Sequence, residues 1–339
     1  MIRLCLPLAA AAAFATLFAC PLQAQPVKLI FDTDIGNDVD DVLALTMIHN
    51  LQTRGHVELL AVTITKPDPL AAPFVDAINT FHGRPNIPVG VTRTKDLTGP
   101  SKFLKLAEQK DGGQFRYPHQ LMDGSQAQEA VALLRKTLAA QPDASVVIAQ
   151  VGFSTNLAAL LDSKADELSP LDGTALVKAK VKELAVMAGA FQTIKDNNHY
   201  QEYNVKMNVP ACQKLAKGWP TPIVWSGYEV GIAVPFPAVT IEQGYAWTPH
   251  HYAVDAYQLY NPTPHERPTW DLTAALYLIF PDRGYFDLSP ACTVTVEDDG
   301  FTRVKPDRKG RDRYLMLSPV QAARVREMFS EVCSEPVKK

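Results

Sequence analysis

Apolar positions along the chain follow two periods, and together they predict strands that alternate with helices. Short, continuous apolar runs indicate buried strands at residues 27–31, 57–65, 87–91, 145–151, 181–187 and 222–225. Apolar residues at helical spacing predict helices from residue 39 onward and at residues 74–81, 125–140, 152–161, 210–217, 252–260 and 271–279. This alternation is typical of an α/β fold with a mostly parallel central sheet and helices on both faces.

The remaining segments are polar loops and a distinct C-terminal tail. Residues 92–123 predict loop with some helix, and residues 192–204 predict a polar loop. From residue 292 the pattern predicts a hairpin around Gly300 and then a final helix at residues 319–332. No internal repeat, linker or low-complexity segment interrupts the chain, so we expect a single domain over residues 25–339.

The N-terminus carries the pattern of a secretory signal peptide. Arg3 precedes an apolar, alanine-rich run at residues 4–19, and the sequence LQA then resembles a cleavage site. We therefore predict that residues 1–24 are a signal peptide and that the mature chain is periplasmic or secreted. Lipid attachment at Cys20 is the alternative.

Composition and charge narrow the classes of partner. The chain has 339 residues, of which 47% are hydrophobic, and a formal net charge of -3. A nearly neutral chain gives no reason to expect a nucleic-acid partner. No apolar run after the signal peptide reaches the ~18 residues that a membrane span requires. The sequence leaves open whether the chain forms a homo-oligomer.

Three cysteines follow the signal peptide, namely Cys212, Cys292 and Cys333. An oxidising compartment allows one disulfide, and we predict the pair Cys292–Cys333, which would tie the last helix to a strand. Three unpaired buried cysteines are the alternative. The absence of a CxxC sequence argues against a zinc site.

The main candidate for chemistry is an acidic segment directly after the first strand. It contains five aspartates within ten residues: Asp32, Asp34, Asp38, Asp40 and Asp41. Crowded carboxylates repel one another and are costly to bury, so a bound cation is the simplest compensation. Hard oxygen ligands suit Ca²⁺ or Mg²⁺. An EF-hand is a poor alternative, because Leu43 stands where that loop needs a bidentate glutamate.

Other polar or small residues also follow predicted strands. Val151-Gly152, Ala188-Gly189 and Trp225-Ser226-Gly227 each come at the end of one. In a parallel sheet, ligands bind beyond the carboxyl ends of the strands. We therefore expect these positions and the acidic segment to line one crevice.

Four motifs resemble a known family. DTDIGNDVDDVLAL resembles DTDxGxDDxxAL, the N-terminal signature of the inosine–uridine-preferring nucleoside hydrolases. VGFSTNL at residues 151–157, QEYN at residues 201–204 and WD at residues 270–271 resemble that family's TGPLTNL, AEFN and HD segments, in the same order. The resemblance implies the family's α/β fold, one bound Ca²⁺ and hydrolysis of the N-glycosidic bond of ribonucleosides.

The resemblance also implies roles for the acidic residues. Asp34, Asp41 and Asp271 would be carboxylate ligands of Ca²⁺, and Val151 would contribute its backbone carbonyl. Asp40 would be the general base on a calcium-bound water.

A second group of residues would bind the sugar. The resemblance assigns the ribose hydroxyls to Glu202 and Asn204, with help from Asn197 or Asn198. Asp32 would orient its neighbours and also contact the sugar. Nearby negative charge would stabilise an oxocarbenium-like transition state.

The chain departs from the family pattern at several positions. Its acidic loop is two residues longer, so Asp38 and Asp40 both remain candidates for the base, and Asp40 fits the following VLAL sequence better. Trp270 stands where many members have the histidine that protonates the leaving base. It would stack on a planar base or form part of the core, and His199 would be a replacement acid or a surface residue. Lys66 replaces a ribose-contacting asparagine.

The sequence thus predicts an exported, calcium-dependent hydrolase of small ribosides. Three alternatives stay open. IFDTD resembles the nucleophile loop of haloacid-dehalogenase-type phosphatases, although Gly36 stands where that motif has Thr or Val. The chain could instead bind ribosides through the metal without turnover, or hydrolyse another glycosyl compound.

Overall fold

The computed structural model describes residues 25–94, 97, 99 and 101–337. The predicted signal peptide lies outside these residues, so export and cleavage after Ala24 stay predictions. Within the described part of the chain, no helix is both long and apolar enough to cross a membrane.

Eleven of the described strands form one sheet, and two others form a separate hairpin. In chain order the strands are β1 (Val27–Thr33), β2 (Val57–Ile64), β3 (Val89–Val91), β4 (Lys110–Asp111), β5 (Gln114–Phe115), β6 (Gln128–Glu129), β7 (Val146–Gln150), β8 (Val181–Met187), β9 (Ile223–Ser226), β10 (Asp287–Leu288), β11 (Cys292–Val296), β12 (Thr302–Pro306) and β13 (Asp312–Met316). The sheet order is β12-β11-β13-β9-β8-β7-β1-β2-β3-β6, with β10 paired to β13.

Neighbouring strands from β13 to β6 in this order run parallel, whereas β10, β11 and β12 add antiparallel pairs at one edge. The mostly parallel sheet expected from the sequence is therefore confirmed. The hairpin predicted around Gly300 is β11–β12.

Helices cover both faces of this sheet. They are α1 (Asp40–Thr53), α2 (Ala71–Phe81), α3 (Ala130–Ala139), α4 (Thr155–Asp162), α5 (Gly173–Lys180), α6 (Tyr203–Met207), α7 (Val209–Gly218), α8 (Tyr228–Ile232), α9 (Ala238–Gln243), α10 (Tyr252–Tyr260), α11 (Trp270–Ile279) and α12 (Pro319–Cys333). Two short 3₁₀ helices lie at Leu104–Glu108 and Gly124–Gln126.

The central strand β1 shows how the two cores form. Successive side chains of a strand point to opposite faces. Leu29 and Phe31 pack into the core beneath α1, α2, α11 and α12, and Ile30 packs into the core beneath α3, α4, α5 and α7. Because both faces are covered, β1 is apolar at every one of these positions, as the sequence predicted.

Several elements differ from the sequence prediction. The helix expected at residues 125–140 begins only at Ala130, because the residues before it form a 3₁₀ turn and the short strand β6. Strand β13 was not predicted, since the apolar run within its sequence DRYLM is only three residues long. Parallel pairing with β9 stabilises this strand, although its local sequence does not predict it.

The predicted disulfide Cys292–Cys333 is wrong. All three described cysteines are free and buried. Cys292 on β11 belongs to the core that contains Ile30, whereas Cys333 at the end of α12 belongs to the core on the opposite face of the sheet. Two cysteines on opposite faces are too far apart for the short Cβ–Cβ separation of a disulfide.

Candidate active site

A cavity of about 250 Å³ opens at the carboxyl ends of β1, β7 and β8, beside the first residues of α1, α6 and α11. Its walls are Asp34, Asn37, Asp38, Asp40, Asp41, Val151, Met187, Tyr200, Glu202, Tyr203, Asn204, Tyr228, Arg267, Trp270 and Asp271. A crevice is present at the expected edge of the sheet, and it contains Val151 and four of the five aspartates of the acidic segment. The expectation that Ala188-Gly189 and Trp225-Ser226-Gly227 also line it is wrong.

Two glycines allow the chain to approach this cavity closely. Gly36 has a φ of +127°, a backbone conformation that favours glycine, and turns the chain after Asp34. At Gly152 an added Cβ would lie 2.5 Å from the backbone nitrogen of Asp34. The absence of a side chain there lets the end of β7 meet the end of β1, which places the Val151 carbonyl beside the acidic loop.

Asp40, Asp41 and Asp271 form the centre of the site, and we call them the acidic trio. Each offers a carboxylate oxygen within 4.8 Å of the others. All three are buried, with exposed fractions of 2%, 2% and 4%. Burial, followed by repulsion from neighbouring carboxylates, raises the pKa of each well above its usual value.

Hydrogen bonds from neighbouring groups hold the acidic trio in place. The Thr33 hydroxyl donates to Asp41 Oδ1. The backbone N–H groups of Trp270 and Asp271 donate to Asp40 Oδ2 at 3.0 and 3.3 Å. These two groups begin α11, so the positive end of that helix faces Asp40. One carboxylate oxygen of Asp40 is thereby fixed, and Oδ1 is left for other partners.

Asp34 lies beside the trio on the loop after β1. Burial raises the pKa of Asp34 to about 7, although the nearby charge of Lys66 opposes the shift. Lys66 itself does not line the cavity; its Nζ donates to Ser101 Oγ at 3.0 Å. The Val151 carbonyl accepts a hydrogen bond from Asn204 Nδ2 at 2.7 Å and has a second lone pair.

The residues present fit a divalent cation. Four buried aspartates and a backbone carbonyl face one cavity, and all of them offer hard oxygen atoms. A cation there would offset the repulsion that raises their pKa values. The structure brings together the four predicted ligands Asp34, Asp41, Val151 and Asp271, with Asp40 adjoining them.

Glu202 and Asn204 form the opposite wall. The Glu202 carboxylate caps α6, where it accepts the backbone N–H groups of Asn204 and Val205, and it also accepts that of Gly189 at 3.2 Å. Burial raises the pKa of Glu202 to about 7. Asn204 Nδ2 donates to the carbonyls of Val151 and Met187. Both side chains are therefore rigidly placed in the cavity wall.

The structure does not bring three of the predicted substrate-binding residues to the cavity. Asn197 and Asn198 are exposed on the loop before α6. Asp32 is fully buried behind the wall, where its Oδ1 accepts from Thr63 and Asn156. Asp32 can therefore orient its neighbours, but the sugar contact predicted for it is not provided by this geometry.

No histidine lines the cavity in the described part of the chain. His199, considered as a replacement acid, is exposed, and its Nε2 lies 2.6 Å from Asp299 Oδ2. Trp270 does line the cavity; its Nε1 donates to the Tyr228 carbonyl, and its ring centroid lies 5.4 Å from that of Tyr228. The predicted alternatives of stacking and core packing are thus both available to this side chain.

Sequence reasoning missed several wall residues: Asn37, Met187, Tyr200, Tyr203, Tyr228 and Arg267. The tyrosines stand beside the recognised QEYN motif or after a strand end, so their positions were a usable signal. Arg267, three residues before Trp270, had none, because its ion pair with Asp38 joins positions 229 apart. The pair occupies the Asp38 carboxylate, which lies next to Asp40 and contributes to the raised pKa of that residue.

A family model described as inosine-uridine preferring nucleoside hydrolase matches residues 29–326. The chain belongs to this family. The recognition made from the sequence motifs is therefore confirmed, and so is the reaction class, hydrolysis of N-glycosyl compounds. The family is metal-dependent, in agreement with the acidic trio.

Solved structures of nucleoside hydrolases share the fold. A plant nucleoside hydrolase is 19% identical, over 92% of this chain and 100% of its own, with a TM-score of 0.68. An inosine-uridine preferring nucleoside hydrolase from Bacillus anthracis is 17% identical, over 91% and 99%, with a TM-score of 0.67. A purine-preferring ribonucleoside hydrolase from Gardnerella vaginalis is 18% identical, over 91% and 99%, with a TM-score of 0.67. No curated protein matches the sequence.

Glu202 offers a test that separates its capping role from its place in the cavity. Glu202→Ala removes the cap of α6, and Asp172→Ala removes a comparable cap from α5, where Asp172 accepts the Ala175 N–H at 2.8 Å. We expect each variant to lose about 1 kcal/mol of unfolding free energy in urea titrations.

Only Glu202→Ala should also raise KM for a riboside, since Asp172 lies outside the cavity wall. An unchanged KM in Glu202→Ala would show that this carboxylate serves α6 alone.

Proposed function

We propose that this family member is a calcium-dependent hydrolase that cleaves the N-glycosidic bond of ribonucleosides. The observation that carries the proposal is the acidic trio in one small cavity with Glu202 and Asn204. A cluster of acids opposite a polar wall suits a furanose whose hydroxyls are bound and whose anomeric carbon faces negative charge.

Asp34, Asp41, Asp271 and the Val151 carbonyl would hold the ion. Bound Ca²⁺ supplies positive charge that makes water more acidic and attracts vicinal hydroxyls. Ca²⁺ suits this set because it tolerates a variable number of oxygen ligands, including backbone carbonyls.

The residues of the chain perform the other tasks. Asp40 takes the proton of the attacking water through Oδ1, since its Oδ2 accepts two backbone N–H groups. Glu202 and Asn204 hold the ribose hydroxyls. The surrounding carboxylates stabilise the positive charge that develops on the sugar.

The proposal is tested by turnover. Purified mature protein with Ca²⁺ is incubated with inosine, uridine and p-nitrophenyl riboside, and release of the base or phenol is followed by chromatography and absorbance. We expect all three to be cleaved. The p-nitrophenyl riboside should react fastest, because p-nitrophenol needs the least activation as a leaving group.

Tight binding of ribose or nucleoside without release of any leaving group would favour the alternative of a riboside-binding protein. This alternative rests on the cavity wall, which contains no histidine among the described residues to protonate a leaving base. Cleavage of another class of glycoside alone would favour the remaining alternative, a hydrolase of another glycosyl compound.

Asp41→Asn tests the metal site. Asp41 is 2% exposed, and the substitution removes one negative charge at nearly constant volume. Wild-type protein should gain about 3 kcal/mol of stability when free Ca²⁺ is about 100-fold above its Kd, and lose it on chelation. Asp41→Asn should show a much smaller gain in calorimetric titration and thermal melting.

Asp143→Asn is the matched control, since Asp143 is exposed and pairs with Lys180 at the surface. If chelation leaves the melting temperature of wild-type protein unchanged and elemental analysis finds no divalent ion, the metal assignment is wrong. Titration with Mg²⁺ in parallel identifies the preferred ion.

Asp40→Asn tests the base. The amide keeps the shape and an oxygen for the backbone N–H groups but loses basicity. We expect kcat to fall by a factor on the order of 10² to 10⁴, with ribose binding and metal content retained. Asp38→Asn should reduce kcat much less, because both Asp38 oxygens already accept hydrogen bonds from Arg267.

Asp34→Asn belongs in the same experiment, because Asp34 also faces the cavity. A loss of turnover in Asp34→Asn with metal retained, but not in Asp40→Asn, would transfer the role of base to Asp34.

A further inference from the structure

The cavity changes character from its buried end to its mouth. At the buried end the acidic trio is 2–4% exposed. Toward the mouth the walls are aromatic, and the Tyr203 side chain there is 44% exposed. A riboside whose sugar lies against the acids must therefore direct its leaving group toward the aromatic end.

Arg267 is the one positively charged wall residue in the described part of the chain, and its side chain is more exposed than the acidic trio. Its side chain is 24% exposed. Its guanidinium carbon lies 4.9 Å from the centroid of the Trp270 ring and 5.0 Å from that of Tyr260. The two rings thus flank the charge.

Asp38 fixes the direction of this guanidinium. Arg267 Nε lies 2.9 and 3.1 Å from the two carboxylate oxygens of Asp38, and Nη2 also donates to Oδ2. This fork holds one edge of the guanidinium plane. Nη1 of Arg267 donates to no group among the described residues. Its N–H groups can therefore donate to a bound molecule.

We propose that Arg267 is a catalytic residue that donates hydrogen bonds to the leaving base and stabilises its departure as an anion, with Asp38 as its positioning residue. This inference rests on the proposed function. It gives the site a leaving-group activator that needs no histidine.

The chemistry balances without an additional reagent. The C1′–N bond breaks, and its electron pair stays on the base. The water oxygen forms the new bond to C1′, and its proton passes to Asp40. A guanidinium does not release its proton at neutral pH, so Arg267 acts through charge and hydrogen bonds, and the base anion is protonated by solvent after release.

The proposal specifies a class of leaving group. A ring that spreads negative charge onto a carbonyl oxygen or an unprotonated ring nitrogen gives Arg267 an acceptor. Purines and pyrimidines with such acceptors should be good substrates, whereas a riboside with an aliphatic amine should be poor. The aromatic walls accommodate the same planar groups.

The test compares substrates that need activation with one that does not. In Arg267→Ala, kcat on inosine and uridine should fall by a factor on the order of 10², the usual effect of losing one donor to developing negative charge. On p-nitrophenyl riboside, kcat should change by less than about threefold, because p-nitrophenolate is a stable anion. Guanidinium at millimolar concentration should restore part of the loss on uridine.

Arg326→Ala is the matched control. Arg326 pairs with Glu266 at the surface, outside the cavity wall. We expect Arg326→Ala to leave kcat unchanged on both kinds of substrate. Asp38→Asn should weaken turnover of uridine more than that of p-nitrophenyl riboside, in the same direction as Arg267→Ala but less. Melting temperatures with Ca²⁺ verify that each variant is folded.

The outcomes separate the two proposals. If Arg267→Ala lowers kcat equally on both kinds of substrate, or raises only KM, Arg267 does not activate the leaving group, and the proposed hydrolase function stands. If wild-type protein cleaves neither kind of substrate, the proposed function fails and this inference fails with it.

Discussion

The site depends on the burial of several carboxylates in one place. Asp34, Asp40, Asp41 and Asp271 are each at most 8% exposed and face one cavity, where their carboxylates repel one another. Such an arrangement is costly in free energy. The parallel sheet brings these residues together, because the carboxyl ends of adjacent strands and the starts of the following helices meet at one edge.

The chain offsets only part of this cost. Backbone N–H groups at the start of α11 and the Thr33 hydroxyl donate to the trio, and Lys66 and Arg267 add positive charge nearby. None of these neutralises the cluster. The negative potential that remains suits the proposed cation and a substrate that becomes positive as its bond breaks.

Much of this was predictable from the sequence, because the informative signals were local. The apolar runs located the buried parallel strands, and the spacing of the aspartates located the acidic cluster in the cavity. Two of the failures involved pairs distant in sequence. Cys292 and Cys333 lie on opposite faces of the sheet, and Arg267 is joined to the acidic segment only through its ion pair with Asp38. Local pattern carries no information about such contacts.

The hydrogen bond from the Trp270 backbone to Asp40 joins positions 230 residues apart. A nascent chain therefore contains Asp40 long before it contains Asp271, which is 231 positions further along. Closing so long a loop costs entropy before any contact repays it, so the site belongs to the late, slow events of folding. The proposed cation binding would accordingly mark a completely folded molecule, since a partly folded chain lacks Asp271 beside Asp34 and Asp41.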